Sequence, residues 1–267
     1  MLETFLLLVL GLSQFGASRT ALATVADARG RAIVDIEADD FVVRETGRPR
    51  DVLSVRVADY PVAVVLDSSA GAAGDFVMVR EAAARFIARI GHRPIAVALS
   101  DPARLISTFD DDRSVVVESL GKATPGGSSE GLFQGIIDAA HAITENGSHF
   151  SAIVVVSARP LANVPSELLK PILDSGATVH VIAAIGDQAQ AANRSAEMLR
   201  ALADETRGQF TTIYSSASYQ VALDRLADRL APQLMVEYVV PVGSVSGNDV
   251  QLGVRIPGAR VIGLGVK

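Results

Sequence analysis

The residues best suited to chemistry lie in a loop that follows an apolar run. The run from Val62 to Leu66 predicts a buried strand, and Asp67, Ser68 and Ser69 follow it directly. Loops at the carboxyl ends of parallel strands are where open α/β sheets hold their ligands. A carboxylate with nearby hydroxyls offers the hard oxygen ligands that Mg²⁺ and Mn²⁺ prefer. This loop therefore predicts either a cation site or polar side chains that satisfy the loop's own backbone.

Strand and helix patterns alternate through the middle of the chain, from about residue 61 to residue 232. Further buried strands are predicted at 94–99, 151–157 and 178–184, with an extra strand at 104–109 and a later one at 210–214. Helices are predicted at 79–90, 112–120, 132–143, 166–174, 196–206 and 218–230, and Pro171 should begin, kink or shorten the fourth of them. Such alternation predicts an α/β domain with a doubly wound, mostly parallel sheet of the Rossmann-like kind.

Both ends of the chain have β patterns that are separated by turn residues. Before the α/β domain, strands are predicted at 21–26, 32–36, 41–44 and 52–57, with no helix. After the domain, strands are predicted at 234–240, 250–256 and 260–264. Because an isolated hairpin or meander buries too little surface to persist, segments 19–60 and 233–267 are expected to pack together as a small β accessory unit.

Residues 1–18 are interpreted as a leader. They contain an apolar stretch, Phe5 to Leu12, that is too short to span a bilayer as a free helix and close to the length of a signal-peptide core. Small residues at 16–18 give a cleavage signal, whereas Glu3 stands where basic residues are usual. Export to the periplasm or the exterior is the prediction. A buried N-terminal strand or a misplaced start codon are the alternatives.

Composition excludes several classes of partner and cofactor. The 267 residues include 24 Lys and Arg and 30 Asp and Glu, which gives a formal net charge of −6. With no basic run, this balance argues against a surface for nucleic acid or for an anionic membrane. The absence of cysteine excludes disulfides, thiol catalysis, iron–sulfur clusters and thiolate zinc sites.

Other catalytic arrangements fail on spacing. No two of the four histidines have the three- or four-residue spacing that places a pair of metal ligands on one face of a helix. They are His92, His141, His149 and His180. The serines after Asp67 lack a G-x-S-x-G elbow, and the glycine-rich segments lack the pattern of a phosphate or dinucleotide loop. The acids at 110–112 precede a helix, where a solvated cap is favoured over a calcium site. We predict no enzymatic activity, and a metal-dependent hydrolase is the least favoured alternative.

The order of these elements resembles the bacterial von Willebrand factor A-related family of the acidobacterial type, from about residue 21 to residue 266. At the front, the family's pattern is similar to Asp27, Gly30, Asp40-Phe41 and Glu45-Thr46-Gly47. At the back, an aromatic strand with proline and a strand pair look like residues 233–241 and 250–256. The resemblance implies a secreted or periplasmic protein with no known catalytic activity.

Members of this family carry a metal-ion-dependent adhesion site on three loops. The first loop has the pattern Asp-x-Ser-x-Ser, which Asp67 and Ser69 match, whereas Gly71 stands where the second serine would be. The second loop normally offers a threonine after a glycine-rich turn. Ser128 or Ser129 takes that place, and the alignment leaves both open. The resemblance thus implies Asp67, Ser69 and Ser128 as the remaining candidates for metal ligands.

The third loop departs furthest from the family's pattern. It normally supplies an aspartate directly after a strand, but this chain has Ala158 followed by Arg159. Mg²⁺ gives up its waters reluctantly and prefers carboxylate ligands, so losing one acid and one hydroxyl weakens binding severely. Glu130 in the second loop offers an alternative carboxylate. The resemblance therefore implies a degenerate adhesion site that works without a cofactor.

These observations predict an exported, non-enzymatic module that binds a protein partner. The partner-binding residues are predicted to be Ser68, Ser69, Gly71, Ser128, Ser129, Glu130 and Arg159. One alternative is an adhesion domain that depends on Mg²⁺ or Mn²⁺ and uses Asp67 with the loop serines. Another is a structural component of the cell envelope whose C-terminal edge strands pair with another chain. The oligomeric state stays open.

Overall fold

The computed structural model describes residues 16–128, 131–158, 169–184, 189–243, 247 and 249–267. It divides into two compact units, one of residues 58–231 and one built from the chain up to residue 57 and from residue 232 onward. The predicted leader lies outside the described residues except at 16–18, and Ala17 and Ser18 already belong to the first strand. Among the described helices, none combines the length and the apolar character needed to cross a membrane.

The described residues form thirteen strands, six α-helices and two one-turn 3₁₀ helices. The strands are β1 (Ala17–Ala26), β2 (Phe41–Glu45), β3 (Arg48–Arg50), β4 (Val52–Val57), β5 (Val62–Leu66), β6 (Ile95–Ser100), β7 (Ala103–Ser107), β8 (Ala152–Ser157), β9 (Thr178–Ala184), β10 (Gln209–Ile213), β11 (Leu234–Val240), β12 (Val250–Val254) and β13 (Arg260–Val266). The helices are α1 (Phe76–Arg89), α2 (Arg113–Lys122), α3 (Leu132–Asn146), α4 (Lys170–Asp174), α5 (Ala189–Glu205) and α6 (Ser218–Leu230).

A six-stranded sheet in the order β10-β9-β8-β5-β6-β7 forms the centre of the unit 58–231. All neighbouring strands are parallel except β6 and β7, which are antiparallel. The strands β5, β6 and β8 are buried along their whole length, which explains why their sequences are continuous apolar runs. This arrangement confirms the predicted α/β fold with a mostly parallel, doubly wound sheet.

Helices supply the apolar surface that buries this sheet. Ile136 of α3 and Leu202 of α5 pack in one core cluster with Val65, Val155 and Val181 of the sheet. The inward residues of α1 and α6, at three- and four-residue spacing, are also buried. Gly91 follows the end of α1 with a φ of 76°, so it ends that helix as predicted. Pro171 stands in the first turn of the short helix α4, and residues 159–168 lie outside the description.

The terminal segments form two sheets, in the orders β13-β1-β11-β4 and β12-β2-β3. The first and last parts of the chain share the larger sheet, because β1 pairs antiparallel with β11 from Ala17 opposite Val240 onward. Residues from both sheets form one apolar cluster that includes Ala21, Phe41 and Val236.

A buried ion cluster joins these two sheets. The carboxylate of Glu45 on β2 is 0% exposed and accepts hydrogen bonds from Arg19 on β1 and Arg50 on β3. The Nε atom of Arg50 lies 3.0 Å from Oε2 of Glu45, and the backbone N–H of Gly247 lies 3.4 Å from Oε1. Arg19 also donates to the carbonyl oxygen of Gly247 at 2.8 Å. Each buried charge therefore has a charged or polar partner.

Two predictions of local structure are wrong. The predicted strand at 32–36 is only an isolated bridge between Ala32 and Ala26, and a one-turn 3₁₀ helix stands at Ala38–Asp40 where no helix was expected. The side chain of Ile36 is nevertheless buried and packs in the apolar cluster of the unit. Ile36 therefore contributes to the core although its backbone is irregular. The apolar pattern alone indicated a strand with regular hydrogen bonds to a neighbour.

A buried histidine makes the stability of the unit 58–231 depend on pH. His180 on β9 is buried, and its Nδ1 atom has no hydrogen-bond partner among the described residues. Burial, with a smaller contribution from the positive charge of Arg229, lowers the pKa of His180 from 6.5 to about 4. As pH falls below 6.5 the unfolded chain takes up this proton first, so folding stability falls between pH 6.5 and pH 4.

We expect this unit to lose about 2 kcal/mol of stability between pH 7 and pH 5 through His180. Urea denaturation at both pH values, on wild type and on His180→Leu, measures the effect. The variant should show a shallower pH dependence, whereas His141→Gln, on an exposed position of α3, should leave it unchanged. An equal pH dependence in wild type and His180→Leu would refute the assignment.

Candidate functional site

The carboxyl ends of β5, β6 and β8 lie side by side because these strands are neighbours in the sheet. Asp67 directly follows β5, and its backbone N–H donates to the carbonyl oxygen of Val156 on β8 at 2.9 Å. The side chain is only 3% exposed. A buried carboxylate needs hydrogen bonds or positive charge to stay ionised, so the groups around it decide what it can do.

Both oxygens of the Asp67 carboxylate accept hydrogen bonds from the protein itself. Oδ1 accepts from the backbone N–H of Ser69 at 3.1 Å and from the hydroxyl of Ser100 at 3.4 Å. Oδ2 accepts from the backbone N–H of Ala158 at 3.0 Å. These three donors come from the ends of three neighbouring strands, so Asp67 ties the loops together.

Ser68 points into the protein and links two loops. It is 0% exposed, and its hydroxyl accepts from the backbone N–H of Asp101 at 2.8 Å and donates to the carbonyl oxygen of Asp101 at 3.0 Å. Its own backbone N–H donates to the Ser100 hydroxyl at 2.8 Å. Ser69 is buried as well. The side chains of these two serines therefore lie on the buried side of the loop.

The second loop is held against the first by backbone contacts. The carbonyl oxygen of Ser128 accepts from the N–H of Ala70 at 2.8 Å, and the N–H of Gly126 donates to the carbonyl oxygen of Ser68 at 2.7 Å. The N–H of Ser128 donates to Oδ2 of Asp101 at 2.6 Å. Gly131 has a φ of 133°, and a Cβ atom there would lie 2.0 Å from the carbonyl oxygen of Ser100. Only glycine fits that position.

The structure brings together part of the predicted site. Asp67, Ser68, Ser69 and Ser128 lie in one hydrogen-bonded group of loops, and Gly71 lies in the one-turn helix Ala70–Ala72 beside them. Ser129, Glu130 and Arg159 lie outside the described residues. Ser128 is exposed and Gly71 is half-buried.

Sequence reasoning missed two residues of this group, Ser100 and Asp101. Ser100 donates to Asp67 and accepts from Ser68, and Asp101 contacts Ser68 and Ser128. Ser100 is the last residue of β6, and Asp101 follows it directly. The sequence did contain a signal for them. The carboxyl ends of neighbouring parallel strands meet at one edge of the sheet, so a serine and an aspartate at the end of β6 lie beside the loop that follows β5.

A tyrosine of α6 completes the buried side of the group. Tyr219 is almost fully buried, and its hydroxyl donates to the carbonyl oxygen of Ser157 at 3.4 Å. Burial raises the pKa of Tyr219, and the negative charges of Asp75 and Asp67 raise it further. Tyr219 therefore stays protonated and acts as a neutral donor. Asp75 accepts a hydrogen bond from the hydroxyl of Ser216.

Within the described residues, protein donors occupy most of the Asp67 carboxylate. Three of the roughly four lone-pair directions of the Asp67 carboxylate are taken by protein donors. Ala158 stands where the family's pattern has a second carboxylate, and its backbone N–H donates to Oδ2 of Asp67 at 3.0 Å. No set of three or more acidic, histidine or cysteine side chains within the described ranges could hold a metal ion.

Comparison with known proteins shows the fold. No family model matches the chain, and a search of curated proteins finds no match. Among solved structures, it is similar to a von Willebrand factor type A protein from Catenulispora acidiphila, with a TM-score of 0.57 and 12% identity over 96% of this chain and 74% of that one.

Two pilus proteins are also similar to this chain in fold. The von Willebrand domain of the type V pili tip protein Mfa5 from Porphyromonas gingivalis has a TM-score of 0.51 and 12% identity, over 65% of this chain and 95% of that one. The pilus adhesin SpaC from Lactobacillus rhamnosus GG, in its open conformation, has a TM-score of 0.53 and 9% identity, over 85% of this chain and 47% of that one. The acidobacterial-type family and a degenerate adhesion site stay predictions. The chain has a von Willebrand factor A-like fold.

Proposed function

We propose that this chain is an exported, non-enzymatic module that binds a protein partner through the loops at the carboxyl edge of its six-stranded sheet, without a metal ion. The observation that carries the proposal is the hydrogen bonding of Asp67. Its carboxylate accepts the N–H groups of Ser69 and Ala158 and the hydroxyl of Ser100. These internal donors hold the three loops together. A bound cation would otherwise do this by contacting ligands from each loop.

The binding surface in this proposal is the exposed part of the same loops. Ser128 and Gly127 are exposed, and Gly71 is half-buried next to them. Ser129, Glu130 and Arg159 are assigned to the same surface from their place in the sequence. Ser68 and Ser69 support this surface from beneath, because their side chains are buried. Loops that are held by internal hydrogen bonds lose less conformational entropy on binding, which favours recognition by shape and hydrogen bonds.

The solved structures of similar fold support an adhesive role outside the cytoplasm. One is the von Willebrand domain of a pilus tip protein and another is a pilus adhesin. Their identity to this chain is 12% and 9%, so they support the kind of function and not a particular partner. The absence of a catalytic arrangement in the sequence supports the non-enzymatic part of the proposal.

Substitution of Gly127 tests the surface. A Cβ atom at Gly127 would meet no described atom within 4 Å, and neither would one at Gly121 near the end of α2. We expect Gly127→Arg to weaken partner binding at least tenfold while the fold is unchanged, because the added side chain covers the loop surface. Gly121→Arg adds the same group elsewhere and should bind normally.

The measurement is capture of envelope proteins by the immobilised chain and its two variants, with and without EDTA, followed by titration of the captured protein. The proposal expects capture by wild type and Gly121→Arg, loss with Gly127→Arg, and no effect of EDTA. Equal binding by both variants would show that the loops are not the surface. Loss of binding in EDTA would favour the metal-dependent adhesion domain instead.

A further inference from the structure

The strand β10 stands at one edge of the six-stranded sheet. It pairs with β9 on one side, from Gln209 opposite His180 to Ile213 opposite Ala184, without a register shift. No described strand pairs with its other side. Its sequence, Gln-Phe-Thr-Thr-Ile, contains no charge and no proline. A regular edge of this kind presents unpaired N–H and C=O groups that can accept another strand.

The opposite edge of the sheet is protected. The strand β7 pairs with β6 through a register shift between Val97 and Ala98, and it carries the exposed Arg104. A bulge and a charged side chain are two of the devices by which proteins prevent pairing at sheet edges. The strand β10 has neither device, so the two edges differ in their capacity to accept a strand.

A groove runs beside the open edge, between β10 and α6. Its volume is about 270 Å³, and its lining includes Thr211, Tyr214, Val221 and Arg225. Tyr214 is 82% exposed and Val221 is 51% exposed. Exposed apolar side chains next to an open strand edge offer contacts for alternate side chains of an added strand, while the strand backbone supplies hydrogen bonds.

The charge in this groove is positive. The neighbouring acids of α6, Asp224 and Asp228, pair with Arg85 and Arg89 of α1. Arg85 Nε lies 3.0 and 3.1 Å from the two oxygens of Asp224. Arg225 forms neither an ion pair nor a side-chain hydrogen bond with any residue in the described part of the chain. The acids that could neutralise Arg225 are thus held by another helix.

We propose that the open edge of β10 binds an extended, acidic peptide segment of a partner protein as an added strand. The backbone of the segment pairs with β10, a carboxylate pairs with Arg225, and apolar side chains contact Tyr214 and Val221. This surface is separate from the proposed loop surface, because none of its residues belongs to the loops around Asp67. Either proposal can fail while the other holds.

Selection from a displayed library of random seven-residue peptides tests the proposal on the full chain. We expect enrichment of segments in which aspartate or glutamate alternates with β-branched or aromatic residues. The best of these, made synthetically, should protect the amides of residues 209–214 in hydrogen exchange. Arg225→Glu should weaken its binding at least tenfold. Arg104→Glu makes the same charge change on the protected edge and should leave binding unchanged.

Three results would overturn the proposal. The first is a selection without acidic enrichment, and the second is equal binding by wild type and Arg225→Glu. The third is a concentration-dependent dimer with protected β10 amides, because the edge would then belong to a second copy of the chain. Normal peptide binding by Gly127→Arg is expected, which separates this test from that of the loop surface.

Discussion

Replacing Glu45 with alanine should lower the free energy of unfolding of the unit formed by the terminal segments by about 3–5 kcal/mol. The carboxylate is fully buried, and the Arg50 side chain beside it is 3% exposed. Alanine at this position leaves the guanidinium of Arg50 buried without its counter-charge and removes a partner from Arg19 on the other sheet. Folded domains are stable by only about 5–15 kcal/mol, so the loss is a large part of the total.

Hydrogen exchange across a urea series measures this loss on the amides of β1, β2 and β11. Glu237→Ala is a matched control, since Glu237 is only half-buried and accepts one hydrogen bond, from Ser54 at 3.2 Å. It should cost less than about 1 kcal/mol. A cost for Glu45→Ala as small as that of the control would mean that the buried cluster does not hold the two sheets together.

Replacing Asp67 with alanine should destabilise the unit 58–231 by about 3 kcal/mol, even in EDTA. The change leaves the N–H groups of Ser69 and Ala158 and the hydroxyl of Ser100 without their acceptor in a buried place. A metal site predicts no such loss of stability in EDTA. In a site whose carboxylate relied on the cation and not on protein donors, EDTA would leave a buried carboxylate without partners, so its removal would be neutral or stabilising.

Urea denaturation in EDTA separates these two accounts of Asp67. Asp67→Asn retains one acceptor oxygen and should lose less stability than Asp67→Ala. Asp110→Ala, at an exposed position, controls for the loss of a negative charge and should change stability by less than about 0.5 kcal/mol. Unchanged or increased stability of Asp67→Ala would contradict the structural role of this carboxylate.

Most of the α/β fold could be predicted from sequence because its pattern is strong. The apolar runs of β5, β8 and β9 are buried on both faces, and the helices between them carry apolar residues at helical spacing. The segment around Ile36 could not be predicted in this way. Its apolar side chain is buried from an irregular backbone, and periodicity alone does not distinguish this from a short strand.

The candidate site was predictable only in part, because its character depends on hydrogen bonds between loops. The sequence places Asp67 and Ser69 at the end of a strand, and parallel pairing places the ends of β6 and β8 beside them. It does not show that the N–H of Ala158 reaches Asp67, or that Ser68 turns inward to bind Asp101. Every residue type except proline has a backbone N–H, so backbone donors leave no pattern in the sequence. A loop whose aspartate accepts backbone hydrogen bonds therefore has the same sequence pattern as a loop whose aspartate binds a cation.

Calorimetric titration of Mg²⁺, Mn²⁺ and Ca²⁺ into the purified chain tests the central claim most directly, with Ser69→Ala as the matched variant. This variant removes a hydroxyl that an adhesion site would use and no side-chain hydrogen bond to a described residue. We predict no saturable heat in either protein, because the carboxylate of Asp67 is already occupied by protein donors. Saturable binding in wild type that Ser69→Ala weakens or abolishes would contradict the claim and establish a metal-dependent site.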